Sequence, residues 1–65
     1  MCLSTATLRK QNGEQEEIMR NVSKVYVKDG IVVLSDILGE EFPVPGTLAY
    51  CDLVNGKLEI EEMSA

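Results

Sequence analysis

The sequence predicts an all-β protein, a small SH3-like or Sm-like antiparallel barrel of five to six short strands, and three observations carry that prediction. The first is a set of turn dipeptides, Asn12-Gly13, Asp29-Gly30 and Asn55-Gly56, whose residues accept positive φ at little cost and which lie between strand-like segments. The second is period-two alternation of apolar and polar residues, clearest at Lys24-Val25-Tyr26-Val27-Lys28 and Leu58-Glu59-Ile60-Glu61. The third is spacing. Gly39 and Pro43-Val44-Pro45-Gly46 add two further breaks, so the pieces between breaks have the length of ordinary strands. A chain of 65 residues holds one core, so residues 1–65 read as a single small β-barrel domain.

Near the start, Cys2, Ser4, Ala6 and Leu8 share a face opposite Leu3, Thr5, Thr7 and Arg9, which puts the Cys2 side chain in phase with Leu8. The stretch from Glu14 to Asn21 contains good helix formers, yet Ile18 and Met19 are its only apolar anchors. It reads as a strand continuing from the first hairpin, with Arg20-Asn21 as the bend before Val22. In the next strand Val25 and Val27 share one face, with Lys24, Tyr26 and Lys28 on the other. After Asp29-Gly30, Ile31, Val33, Ser35 and Ile37 oppose Val32, Leu34 and Asp36. Neither of those faces is purely polar, so this strand is expected centrally or at a subunit contact. The final hairpin pairs Thr47 to Val54 with Lys57 to Glu62 around Asn55-Gly56, and places Cys51 in phase with Thr47, Ala49 and Leu53 on a buried face.

Composition narrows the function. Eleven Asp and Glu against six Lys and Arg give a net charge of −5, a field that opposes binding to phosphate backbones. There is no histidine and no tryptophan, which excludes His-based catalysis and Trp stacking. Apolar runs such as Ile31-Val32-Val33-Leu34 are too short to span a membrane, and the N-terminus lacks the pattern of a secretory signal, so a cytoplasmic protein is expected. No nucleophile has a partner base, no glycine loop fits a phosphate and no Cys-x-x-Cys is present. The chain is not expected to be an enzyme. The carboxylate groups Glu14, Glu16 and Glu17, then Glu40 and Glu41, then Glu59, Glu61 and Glu62, lack calcium-loop spacing and read as a solvated surface.

Cys2 is the residue with chemistry. Trimming of Met1 would leave an amine and a thiol on one residue, able to close a five-membered chelate ring. With Met1 retained, its amine, the Cys2 amide nitrogen and the Cys2 thiolate form a tridentate set. Such donors in a plane suit nickel(II), and copper(II) less well because it oxidises thiolates. One chain fills at most three of four planar positions, so two copies apposing their Cys2 residues across a two-fold axis complete the site. Cys51 favours a core role, although beside Cys2 it would make a thiolate pair that prefers zinc. An alternative use of the barrel is RNA binding through Lys24, Tyr26 and Lys28.

Met1-Cys2 at the start, a hairpin near Gly13, Glu40-Glu41-Phe42, Pro45-Gly46, and Asp52-Leu53 leading into Asn55-Gly56 give the chain a family likeness along nearly its full length. In this order and spacing it resembles the CooT family, small proteins associated with maturation of nickel-dependent carbon monoxide dehydrogenase. The resemblance implies a homodimer of small SH3-like or Sm-like barrels that binds Ni2+ at the dimer interface through Cys2, as metallochaperone or nickel store. It also implies a nickel-dependent client enzyme such as carbon monoxide dehydrogenase. Members of the family are in addition labelled predicted RNA-binding proteins, a label that rests on fold analogy.

Overall fold

A computed structural model describes residues 3–63, which form five strands: β1 (Ser4–Arg9), β2 (Gln15–Lys28), β3 (Ile31–Asp36), β4 (Glu41–Asp52) and β5 (Lys57–Glu62). They close into a barrel in chain order. Consecutive strands pair antiparallel, and the ring is sealed by a parallel pairing of β1 with β5, Thr5 opposite Lys57 through Arg9 opposite Glu61. The all-β barrel is therefore as the turn pattern predicts.

Two strands are longer than expected. β2 has 14 residues and β4 has 12, and each serves two neighbours in succession. β2 pairs first with β1 and then with β3, while β4 pairs first with β3 and then with β5. Such a strand must bend where it changes partner. In β2 the bend comes at Asn21, with φ of 59°, beside shifts in the β1 register. This is the predicted Arg20-Asn21 bend, and residues 15–21 are strand because pairing with β1 overrides their helical propensity.

In β4 the change of partner comes at Gly46, which is buried. A Cβ at this position would lie 2.3 Å from the Glu61 carbonyl oxygen, so only glycine lets β4 cross onto β5 here. The expected break at Pro43-Val44-Pro45-Gly46 is instead continuous strand. The Gly46 N–H donates to the Gly30 carbonyl at 3.0 Å, on the β3 side, and by strand alternation the donorless nitrogens of Pro43 and Pro45 face the opposite edge. Proline at those two places removes no ladder bond.

The interior is small. Ala6, Val22, Val32, Leu34, Leu58 and Ile60 are buried, with Leu8, Ile18, Met19, Val25, Val44 and Leu48 packed around them. Leu58 and Ile60 point inward between Glu59 and Glu61, as their alternation predicts. β3 lies between β2 and β4, the expected central placement, but it ends at Asp36, and Ile37 sits in the following turn at 65% exposure. Val27 is also more exposed than its pairing with Val25 suggests, at 58%, because it sits next to the Asp29-Gly30 turn at the barrel rim. That turn has positive φ at both residues, 49° and 76°, the conformation that suits the twist of a two-residue hairpin.

The crossing at Gly46 yields a test of the architecture. Gly46→Ala is expected to cost about 3 kcal/mol or more, since backbone must move to admit the methyl group. Gly13→Ala, where φ is 90° but nothing lies within 4 Å, is expected to cost only the left-handed penalty of about 1 kcal/mol. Urea unfolding of the two variants measures both, and equal losses would contradict the crossing as the tighter constraint.

Candidate metal centre at the start of the first strand

The approach to the N-terminus is built by the loop between β4 and β5. Asp52 ends β4, and its Oδ1 accepts hydrogen bonds from the backbone N–H of Val54 at 3.1 Å and of Asn55 at 3.0 Å. Its Oδ2 accepts from the Asn55 side-chain amide at 2.7 Å and from the Tyr50 hydroxyl at 3.3 Å. An aspartate three residues before Asn-Gly thus folds the turn around its own carboxylate. The Asn55 side-chain bond, and then the backbone bonds from Asn55 and Val54, hold the Asp52 carboxyl below its ordinary value against a smaller desolvation effect. The Asp52 charge in turn raises the Tyr50 phenol.

Gly56 then turns the chain with φ of 69°. Its carbonyl accepts the Thr5 N–H at 2.8 Å, and a Cβ on it would stand 3.0 Å from the Leu3 carbonyl oxygen. The absence of a side chain at Gly56 is what lets the first strand lie against this loop. Leu3 and Thr5 are therefore fixed at the barrel end carrying Leu53 and Val54, which are 73% and 90% exposed.

Cys2, the predicted metal ligand, lies outside the described residues, as does Met1. Cys51 is described, and it corrects the expectation of a core thiol, since it is exposed. An irregularity between Leu48 and Tyr50 shifts the side-chain phase of β4, so Thr47 and Ala49 do not share a buried face with Cys51. Cys51 pairs with Leu58 and lines a shallow cavity of about 230 Å³ with Ser4, Val22, Leu48 and Leu53, where the barrel end is open. That puts its thiol at the same end as the start of β1. Among the described residues no group of three or more Cys, Asp or Glu side chains could hold a metal ion.

Lys24, Tyr26 and Lys28 alternate along β2 and are all exposed, as the RNA alternative requires. The Tyr26 hydroxyl donates to Glu41 at 2.6 Å, a contact that raises its pKa and sets a carboxylate within that face. The acidic groups are spread over the surface rather than converging. Arg9 pairs with Glu59, Arg20 with Glu17 at 2.6 Å and Lys10 with Glu16 at 3.7 Å, exposed pairs of small energetic worth. The role of Asp52 was missed in the sequence, where its signal was the spacing Asp-x-x-Asn-Gly.

The Asp52 turn has a pH signature. A carboxyl with a depressed folded-state pKa adds stability above its unfolded value of about 3.9, and that stability is lost as pH falls through the lower folded value. Asp52→Ala is expected to lower the melting temperature at pH 7, to shrink the loss of stability below about pH 4 and to speed hydrogen exchange at the Val54 and Asn55 amides. Acid titration of stability for both proteins checks this, and superimposable acid limbs would refute it.

The model of the family described as CO dehydrogenase accessory protein CooT matches residues 1–61. No curated protein matches the chain. Among solved structures, the chain is similar to a Carboxydothermus hydrogenoformans protein to which the name CooT is assigned. The likeness has a TM-score of 0.81 and 17% identity, and covers 97% of this chain and 100% of that one. At that identity the likeness speaks for the shared barrel. Because the family match takes in nearly the whole sequence, Met1 and Cys2 included, this chain belongs to CooT, the family of CO dehydrogenase accessory proteins.

Proposed function

We propose that this CooT protein binds nickel(II) as cargo through Cys2 at the interface of a homodimer, and stores it or delivers it for maturation of carbon monoxide dehydrogenase. The observation that carries the reading is the family match, which describes an accessory protein of CO dehydrogenase and spans the Met1-Cys2 start. Two structural features support it. The bond from Thr5 to the Gly56 carbonyl holds the first strand against an ordered loop, so donors just ahead of Leu3 start from a fixed point. Leu3, Leu53 and Val54 leave apolar surface at the same end, the kind of surface that a two-fold contact buries at about 25 cal/mol per Å².

The chemistry follows from the donors. A thiolate with amine or amide nitrogens makes a strong planar field, and the cargo is shared because one chain leaves a position open. The thiol must lose its proton to coordinate, so nickel uptake rises with pH toward the ordinary thiol value of about 8.5 and weakens in acid. The net charge of −5 raises the local concentration of a divalent cation. In this role the protein carries metal and does not catalyse. The Tyr26–Glu41 contact makes the RNA reading the weaker one.

Titration of reduced protein with nickel(II) is expected to give thiolate-to-nickel charge-transfer absorption that saturates at one ion per two chains. Cys2→Ser abolishes the band and Cys51→Ser leaves it in place. Non-denaturing mass spectrometry then counts chains, ions and the presence of Met1 together. If Cys2→Ser takes up nickel(II) as well as the parent protein, the site is elsewhere.

A further inference from the structure

β2 and β4 each run half their length with a neighbour on one side only. β1 pairs with β2 between Gln15 and Val22, but β3 meets β2 only from Val22 onward, so among the described residues no strand lies beside the opposite edge of residues 15–21. Likewise β3 covers one edge of residues 41–45 of β4, and β5 first meets β4 at Gly46. An apolar groove of about 240 Å³ lies between these two half-strands, lined by Ile18 and Met19 from β2, Phe42 and Val44 from β4, and Leu8 from β1.

The two edges differ in what they offer. Pro43 and Pro45 turn donorless nitrogens to the free side of β4, which blunts it against pairing. The β2 edge keeps its donors. The Lys10 N–H donates to the Glu14 carbonyl at 2.7 Å and Leu8 pairs with Glu16, so alternation turns the peptide groups of Gln15 and Glu17 outward. Charge selects the occupant: Glu16 and Glu17 stand on the β2 lip, held by exposed contacts with Lys10 and Arg20, and Glu40 and Glu41 stand exposed at the start of β4, so acidic side chains outnumber basic ones around the groove. A second copy pairing the same edge about a two-fold axis would bring the acidic run from Glu14 to Glu17 against itself, and like charges directly across a sheet destabilise it.

We propose that this groove receives an extended segment of a partner protein, with apolar side chains alternating with Lys or Arg, added as a further strand along residues 15–19 of β2. Backbone bonds to the free edge supply affinity, the apolar side chains enter the groove, and the basic residues meet the carboxylate lips. The groove sits at the Leu8 end of β1, away from Leu3, so it operates without nickel.

The test uses the full-length, metal-free, 15N-labelled protein and a synthetic blocked heptapeptide, Lys-Val-Lys-Ile-Lys-Val-Lys. Expected are amide shifts over residues 15–19 and slowed hydrogen exchange at Gln15 and Glu17, with a peptide carrying Glu in place of Lys at least tenfold weaker. A version N-methylated on alternate nitrogens should lose the exchange protection. Met19→Lys is expected to weaken binding at least tenfold. Phe42→Ala, at a side chain 49% exposed, should weaken it severalfold and stands as the reporter if Met19→Lys fails to fold. The proposal is overturned by no perturbation at millimolar peptide, by shifts that map elsewhere, by equal binding of the Glu peptide, or by unchanged protection from the N-methylated one. Concentration-dependent shifts at these amides without peptide would assign the edge to a second copy and overturn it too.

Discussion

Everything in this barrel depends on two strands that each pair with two neighbours in succession. β2 and β4 must bend to change partners, and the crossing of β4 over β5 is possible because Gly46 brings bare backbone against the Glu61 carbonyl. With that crossing in place, β5 lies where β1 can join it in parallel, and the ring closes without a sixth strand. The parallel seam has a direct consequence for the N-terminus. Because β1 and β5 run the same way, the start of β1 sits beside the loop that precedes β5, and the Thr5 bond to Gly56 follows.

The same economy explains why the interior holds so few side chains and why so much apolar surface remains outside. A short chain buries a limited fraction of its surface, and six buried apolar residues with a partly covered ring about them are what this barrel can enclose. Leu53 and Val54 mark the end where the first strand begins, and Phe42 marks the groove at the other end of β1. A small barrel with two such ends is suited to being held between other surfaces, which fits an accessory protein better than a catalyst with an enclosed pocket.

Much of this was legible in the sequence, and the parts that were not share a cause. Asn12-Gly13, Asp29-Gly30 and Asn55-Gly56 mark three hairpin turns because positive φ is a local requirement that local residues advertise. Leu58 and Ile60 reveal their inward face because β5 has no irregularity. Long-range facts leave no such mark. Pro43 and Pro45 look like breakers until it is known which edge of β4 has no partner, and Cys51 looks buried until the irregularity after Leu48 and the open barrel end are seen. The parallel seam of β1 and β5 is likewise invisible to turn chemistry, since no turn joins those strands.

Asp52 shows how the two levels meet. Its bonds to Val54 and Asn55 are local, and their spacing is written in the chain, yet their value lies in what the folded loop then touches. By fixing the loop, Asp52 presents the Gly56 carbonyl to Thr5, and by lacking a side chain Gly56 leaves room for Leu3. A flexible loop in its place would leave Leu3 and Thr5 without that anchor, and each residue that must be ordered costs about 1 to 2 kcal/mol of backbone entropy. On the proposed nickel binding through Cys2, a strand already held at Leu3 and Thr5 would lose less when it closed on an ion, and the rigidity of the hairpin turn would then contribute to the affinity proposed there.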